Sequence, residues 1–173
     1  MNLNEQKKLI IKIGSSLLIN ESDGSLNKLW LDNLVEEITE LKKNNHSVII
    51  VSSGAIGLGR KYLGFDDGYN RLEQQQAAAA SGQIILAHAY QDLFEKHQIK
   101  VAQVLLTLDD LEDRTKYLNA RNTIETLLNI DVIPIINEND TVATEEIRYG
   151  DNDQLAARVS QLISADCLIL FSD

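Results

Sequence analysis

Cysteine and proline are almost missing from this 173-residue chain, with one of each. A single cysteine excludes an internal disulfide. Cys167 stands inside the apolar run CLILF and is read as a buried strand residue, not a reactive thiol. The one proline, Pro134, falls in or beside an apolar run of strand length, an unusual place in a central strand. No apolar run approaches the length of a membrane span. The opening MNLNEQKK has no signal-peptide pattern, so a cytoplasmic location is expected. Lys/Arg-rich blocks are absent and the net charge is -10, which argues against nucleic acid or an anionic membrane as the main partner. An anionic small molecule stays open, because a site can be locally positive. His46, His88 and His97 lack metal-ligand spacing, no Ser/His/Asp order stands out, and no metal site is read. There is no internal repeat and no Pro- or Ser-rich linker.

What remains is an ordinary globular balance, 44% hydrophobic and 24% charged, at a length that suits one sizeable core. Short apolar runs alternate with helical periodicity. Strands are expected at 9–13, 48–51, 101–106, 132–136 and 168–171. Trp30, Leu31, Leu34, Val35, Ile38 and Leu41 predict a helix ending near Asn44 and Asn45. Further helices are expected at 74–97, in one or two pieces, at 117–128 and at 153–163, and residues 141–149 are compatible with a hairpin. Strands buried on both faces and separated by helices imply an α/β fold, with a mainly parallel sheet between two helical layers.

Three segments carry candidate chemistry. In IKIGSS, Lys12 nears the end of the first strand and is followed by Gly14 and Ser15. An ammonium and a glycine that admits close backbone approach suit an anion, although an edge lysine before a turn has the same sequence. The GxxxxGK[ST] pattern of a P-loop is absent. In VSSGAIGLG a strand runs into a helix whose N-terminus suits a carboxylate or phosphate, with Ser53 as expected N-cap. The glycine spacing there is not the dinucleotide fingerprint. The densest signal lies in residues 134–158, where Asn137, Glu138, Asn139 and Asp140 stand where the fourth strand is expected to end. Gly150, Asp151, Asn152 and Asp153 then precede the next helical pattern. Simple helix capping explains part of that second cluster. Caps do not explain the amides and acids beyond a buried strand, which is where open α/β sheets bind ligands. By contrast, Asp109, Asp110, Glu112 and Asp113 read as a solvated loop and helix start.

In order, IKIGSS, VSSGAIGLG, AQVLLT, YLNARNT, PIINENDTVATEEI and GDNDQLAARV resemble the amino acid kinase family, most closely its branch acting on glutamate. The resemblance implies the family's αβα sandwich. It also implies transfer of a phosphoryl group from ATP, with Mg²⁺, to the γ-carboxylate of L-glutamate in proline biosynthesis. Carried over by motif, Lys12 would contact the transferring phosphoryl group and Gly14, with Ser15, the phosphates. Ser53, Gly54, Asn137, Asp140 and Asn152 would hold glutamate. Asp153 would organise the site lysines, and Ser172 and Asp173 would begin the nucleotide-binding segment. A homo-oligomer and feedback inhibition by proline are implied as well. The family's domain runs on past this match. Residues 1–173 are therefore expected to be its N-terminal, glutamate-binding portion, without the nucleotide-binding half or a PUA domain. The alternatives are a non-catalytic remnant that binds glutamate or proline, and a kinase for acetylglutamate, aspartate, carbamate or a nucleoside monophosphate.

Overall fold

The computed structural model describes residues 7–20, 22–65, 71–142 and 151–171. In chain order the elements are β1 (Lys8–Ile13), α1 (Ser15–Leu18), α2 (Lys28–Lys43), β2 (Ser47–Ser52), α3 (Ala55–Leu63) and α4 (Leu72–Glu95). They continue with β3 (Val101–Leu106), α5 (Leu108–Glu112), α6 (Arg114–Asn129), β4 (Ile133–Glu138), α7 (Asp151–Leu162) and β5 (Cys167–Phe171). The five strands form one sheet in the order β3-β4-β2-β1-β5, with every pairing parallel. Successive side chains of a strand point to opposite faces, and the core divides accordingly. Ile11, Ile13, Val48, Ile50, Ile133 and Ile135 pack beneath α2 and α4. Ile10, Ile49, Val51 and Ile136 pack beneath α6 and α7. A fully buried side chain of this size contributes about 1.5–3 kcal/mol, so the double-sided burial of β1, β2 and β4 anchors the three layers.

β4 begins and ends later than its apolar run suggests. Asn137 and Glu138, expected after the strand, are its last two residues and pair with Leu105 and Leu106 of β3. Pro134 does lie in a central strand. Ile133 donates its N–H toward the β3 side, to the Lys100 carbonyl, so Pro134, next in the alternation, faces β2. The β2–β4 ladder starts just past it and covers only Ile50↔Ile135 and Val51↔Ile136. A residue with no N–H is tolerated where no ladder bond is required of it.

Two further readings change. Ser53 is not the cap of α3; Gly54 is, at φ 97, with no side-chain cap bond. Cys167 is only partly buried, because β5 is an edge strand. The short helices α1 and α5 and an isolated bridge from Ile19 to Leu26 carried no periodic signal. Most of the hairpin read at 141–149 lies outside the described residues, while Thr141 and Val142 form a turn. The second long helix is one continuous α4. Each helix that returns directly to a strand is followed by a residue at positive φ: Asn45, Gln98, Asp131 and Ser164.

The loop between α1 and α2 is tied to α3 by Asp23. Its carboxylate accepts from Ser25 Oγ at 2.6 Å, from the Ser25 N–H at 2.9 Å and from Lys61 Nζ at 3.1 Å. Those bonds, that of the Ser25 hydroxyl foremost, hold the Asp23 carboxyl down to about 2. A carboxyl depressed on folding stabilises fully above its unfolded value, about 3.9, and loses that contribution as pH falls toward the folded value. Asp23→Asn is therefore expected to flatten the fall in melting temperature between pH 4 and pH 2. Superimposable pH profiles for the two proteins would remove Asp23 from this role.

Candidate functional site

Because every strand is parallel, all five carboxyl ends share one rim, where open α/β sheets hold ligands. Register aligns Lys12 with Val51, and Val51 with Ile136. At about 4.8 Å between strands, Lys12 and Ile136 are about 10 Å apart at their backbones. Asn137 is the penultimate residue of β4, Asp140 stands two residues past its end, and Ser53 and Gly54 follow directly on β2.

Lys12 alternates with Ile11 and Ile13 and so faces α7. Its side chain is 8% exposed, and its Nζ lies 2.6 Å from Asp153 Oδ1, on a carboxylate that is 49% exposed. Burying an ammonium is costly without an anion; Asp153, in the first turn of α7, supplies one. Asn152, beside it, has a buried Oδ1 with no hydrogen-bond partner among the described residues. The cation thus sits inside the rim with its partner on the solvent side, open to exchange for another anion.

Gly14 follows directly on β1. Its N–H is committed to the Phe171 carbonyl at 2.9 Å, so it is not offered to a ligand. A Cβ there would lie 3.3 Å from the Phe171 carbonyl oxygen, a tight fit against β5, and at ordinary contact with Lys12 Nζ at 3.6 Å and Ser16 Oγ at 3.7 Å. Ser15 is the first residue of α1 and half-buried. Ser53 donates its N–H to the Ile13 carbonyl at 3.1 Å, which ties the β2 turn to β1. Gly54 turns the chain into α3 in the left-handed region that disfavours side chains.

Across the crevice, Asn137 and Asp140 are buried at 3% and 6% exposure. Asn137 Oδ1 accepts the N–H of Glu138 at 2.9 Å. A ladder continuing past Val51↔Ile136 would direct that N–H at β2. The bond to Asn137 therefore marks where β2 and β4 part and a crevice opens. The described structure brings Lys12, Gly14, Ser15, Ser53, Gly54, Asn137, Asp140, Asn152 and Asp153 to this rim. Ser172 and Asp173 lie outside the described residues. A separate groove of about 770 Å³, lined by Leu26, Leu58, Tyr62, Ile85 and Leu93 among others, runs along α3 and α4 and includes none of them.

The reading of the sequence passed over Ser52, Tyr90 and Gln83. Ser52 and Tyr90 are wholly buried, with Oγ and OH 2.9 Å apart. Burial raises the Tyr90 phenol well above its ordinary range, against the smaller effect of its bond to Ser52. Gln83 Nε2 reaches the Glu138 carbonyl at 3.5 Å, while its Oε1 accepts from Gln103 at 2.8 Å. A helix with polar residues seven apart on its buried side was the available signal.

Residues 7–173 match the amino acid kinase family. The Glutamate 5-kinase of Paramagnetospirillum magneticum is 60% identical over 167 residues, which is 96% of this chain and 45% of that protein. That of Rhodospirillum rubrum is 58% identical over 164 residues, 95% of this chain and 44% of that protein. That of Agrobacterium fabrum is 57% identical over 171 residues, 99% of this chain and 44% of that protein. The chain spans less than half the length of these curated relatives.

Proposed function

The chain belongs to the amino acid kinase family, and from that premise we propose that it carries the glutamate-gripping part of a kinase that phosphorylates the γ-carboxylate of L-glutamate with ATP. The observation that carries the reading is the buried Lys12 ammonium, held by a half-exposed Asp153 beside a crevice of amide and acid groups.

The chemistry suits these residues. A glutamate side chain, with a pKa of about 4.3, is already ionised at neutral pH, so no general base is required. A carboxylate oxygen attacks the γ-phosphorus, the bond to the β-phosphate bridging oxygen breaks, and ADP leaves with that electron pair. The obstacle is repulsion between two anions, which positioning and charge neutralisation overcome. Lys12 neutralises the transferring group, and Asp153 holds the ammonium in place until the phosphates take over. Asp140 and Asn137 grip the amino end, while Ser53, Gly54 and Asn152 orient the rest. Among the described residues no group of three or more His, Cys, Asp or Glu side chains converges. Mg²⁺ commonly binds through substrate phosphates and one or two carboxylates; arriving with the nucleotide it would find Asp153, half-exposed beside Lys12, as the carboxylate that could hold it. Its charge would supplement the neutralisation that Lys12 provides.

Turnover belongs to the full-length protein, where self-association, inhibition by proline and a cytoplasmic setting follow from the same family reading. In that context a hydroxamate assay with glutamate, ATP, Mg²⁺ and hydroxylamine is expected to show glutamate-dependent product. The 173-residue chain is expected to be stabilised against heat by glutamate. Product formed with aspartate or acetylglutamate but not glutamate would sink the assignment. Asp140→Ala is expected to raise the glutamate KM about 10–100-fold, the cost of losing a bond to a charged group. An unchanged KM would remove Asp140 from the substrate.

A further inference from the structure

Beyond Val51↔Ile136, β2 and β4 share no ladder, so their own hydrogen bonds do not set the distance between the two sides of the crevice. α4 lies under both ends. Three features of that helix meet these ends or the start of α3 beside them. Gly82 meets the first residue of α3 at backbone distance: a Cβ there would lie 1.7 Å from the Ala55 carbonyl oxygen. Gln83, fixed by Gln103 of β3, reaches the Glu138 carbonyl of β4. Tyr90, two turns on and on the same side of the helix, meets Ser52 of β2, whose Oγ is also 3.2 Å from the Ser53 carbonyl. Apolar side chains would fill these positions without the cost of burying polar groups. A hydroxyl and an amide there do something packing does not: they fix direction and distance.

We infer that α4 is the gauge of the glutamate crevice, with Tyr90 and Gln83 as positioning residues that set the spacing between the Ser53–Gly54 turn and the Asn137–Asp140 segment. The inference rests on the function proposed above. A gauge of this kind acts on the length of ligand accepted, so it separates glutamate from aspartate, which is one methylene shorter. Neither side chain touches the ligand; both act through the strand ends.

The test uses the 173-residue chain, its Tyr90→Phe and its Gln83→Met, both close to isosteric. Calorimetric titration with glutamate and with aspartate, well below the melting temperature, gives affinities on folded protein. Each variant is expected to bind glutamate about 3–10-fold more weakly, the range of one hydrogen bond, and to lose part of its preference over aspartate. Backbone amide resonances of Ser53 and Gly54 in Tyr90→Phe, and of Asn137 in Gln83→Met, are expected to shift. A lowered melting temperature with unchanged affinity and an unchanged glutamate-to-aspartate ratio would mean that the groups only stabilise the fold, and overturns the inference. An unsubstituted chain that binds no glutamate removes the underlying function first, and the inference falls with it.

Discussion

Gly82→Ala is expected to leave the protein unfolded or barely folded at 25 °C. The added Cβ would lie 1.7 Å from the Ala55 carbonyl oxygen, 2.6 Å from its carbon and 2.8 Å from the Gly59 nitrogen. These are backbone atoms of a neighbouring helix, with no flexible end to swing aside. Ordinary overpacking costs about 1–3 kcal/mol. Here two helices must separate, and a cost above about 4 kcal/mol consumes much of a typical stability of about 5–15 kcal/mol. Gly59→Ala meets the Ala78 carbonyl oxygen at the same 1.7 Å and should behave alike. Gly57, in the same helix, is the control: its Cβ would meet Ile19 at an ordinary 3.4 Å, and alanine there should hold or raise stability. Urea unfolding followed by circular dichroism reads all three. A Gly82→Ala midpoint matching that of Gly57→Ala would refute the close crossing of α3 and α4.

Lys12→Ala is expected to abolish phosphoryl transfer in the full-length kinase while sparing both folding and glutamate binding. Removing one preorganised electrostatic donor typically costs about 10²–10³ in kcat. Folding survives because the group left behind, Asp153, is half-exposed and returns to water, whereas the reverse deletion would strand a buried ammonium. Glutamate affinity survives because the proposed grip lies on β2, β4 and α7. The hydroxamate assay gives turnover, and a glutamate titration of the same sample gives affinity. Loss of affinity together with turnover would show that Lys12 belongs to the substrate's grip, and the division of the site would be wrong.

The strands were legible because apolar residues cluster in short runs of four to six between helical stretches. The right-handed return of parallel crossovers then leaves few arrangements. Asn137 and Glu138 were misplaced because amides and acids are loop-prone in isolation; pairing with β3 overrides that preference. The glycines of VSSGAIGLG look like one motif and are three solutions: a positive-φ turn at Gly54, a tolerated helix position at Gly57 and a helix crossing at Gly59. Only the partner helix distinguishes the last. Lys12 and Asp153 were each singled out, but no local pattern shows that their charges meet. Ser52, Tyr90 and Gln83 escaped notice because a buried hydroxyl or amide on one element acquires meaning only from its partner on another.

The four non-glycine residues at positive φ among the described residues, Asn45, Gln98, Asp131 and Ser164, all stand just before strands, at the end of the sheet opposite Lys12 and Asp140. The helix-to-strand reversals and the ligand chemistry are thereby assigned to opposite poles of the sheet. Drift in the tight reversals can be absorbed without disturbing the acceptor groups, and the acceptor groups can be retuned toward another acid without renegotiating how the chain doubles back.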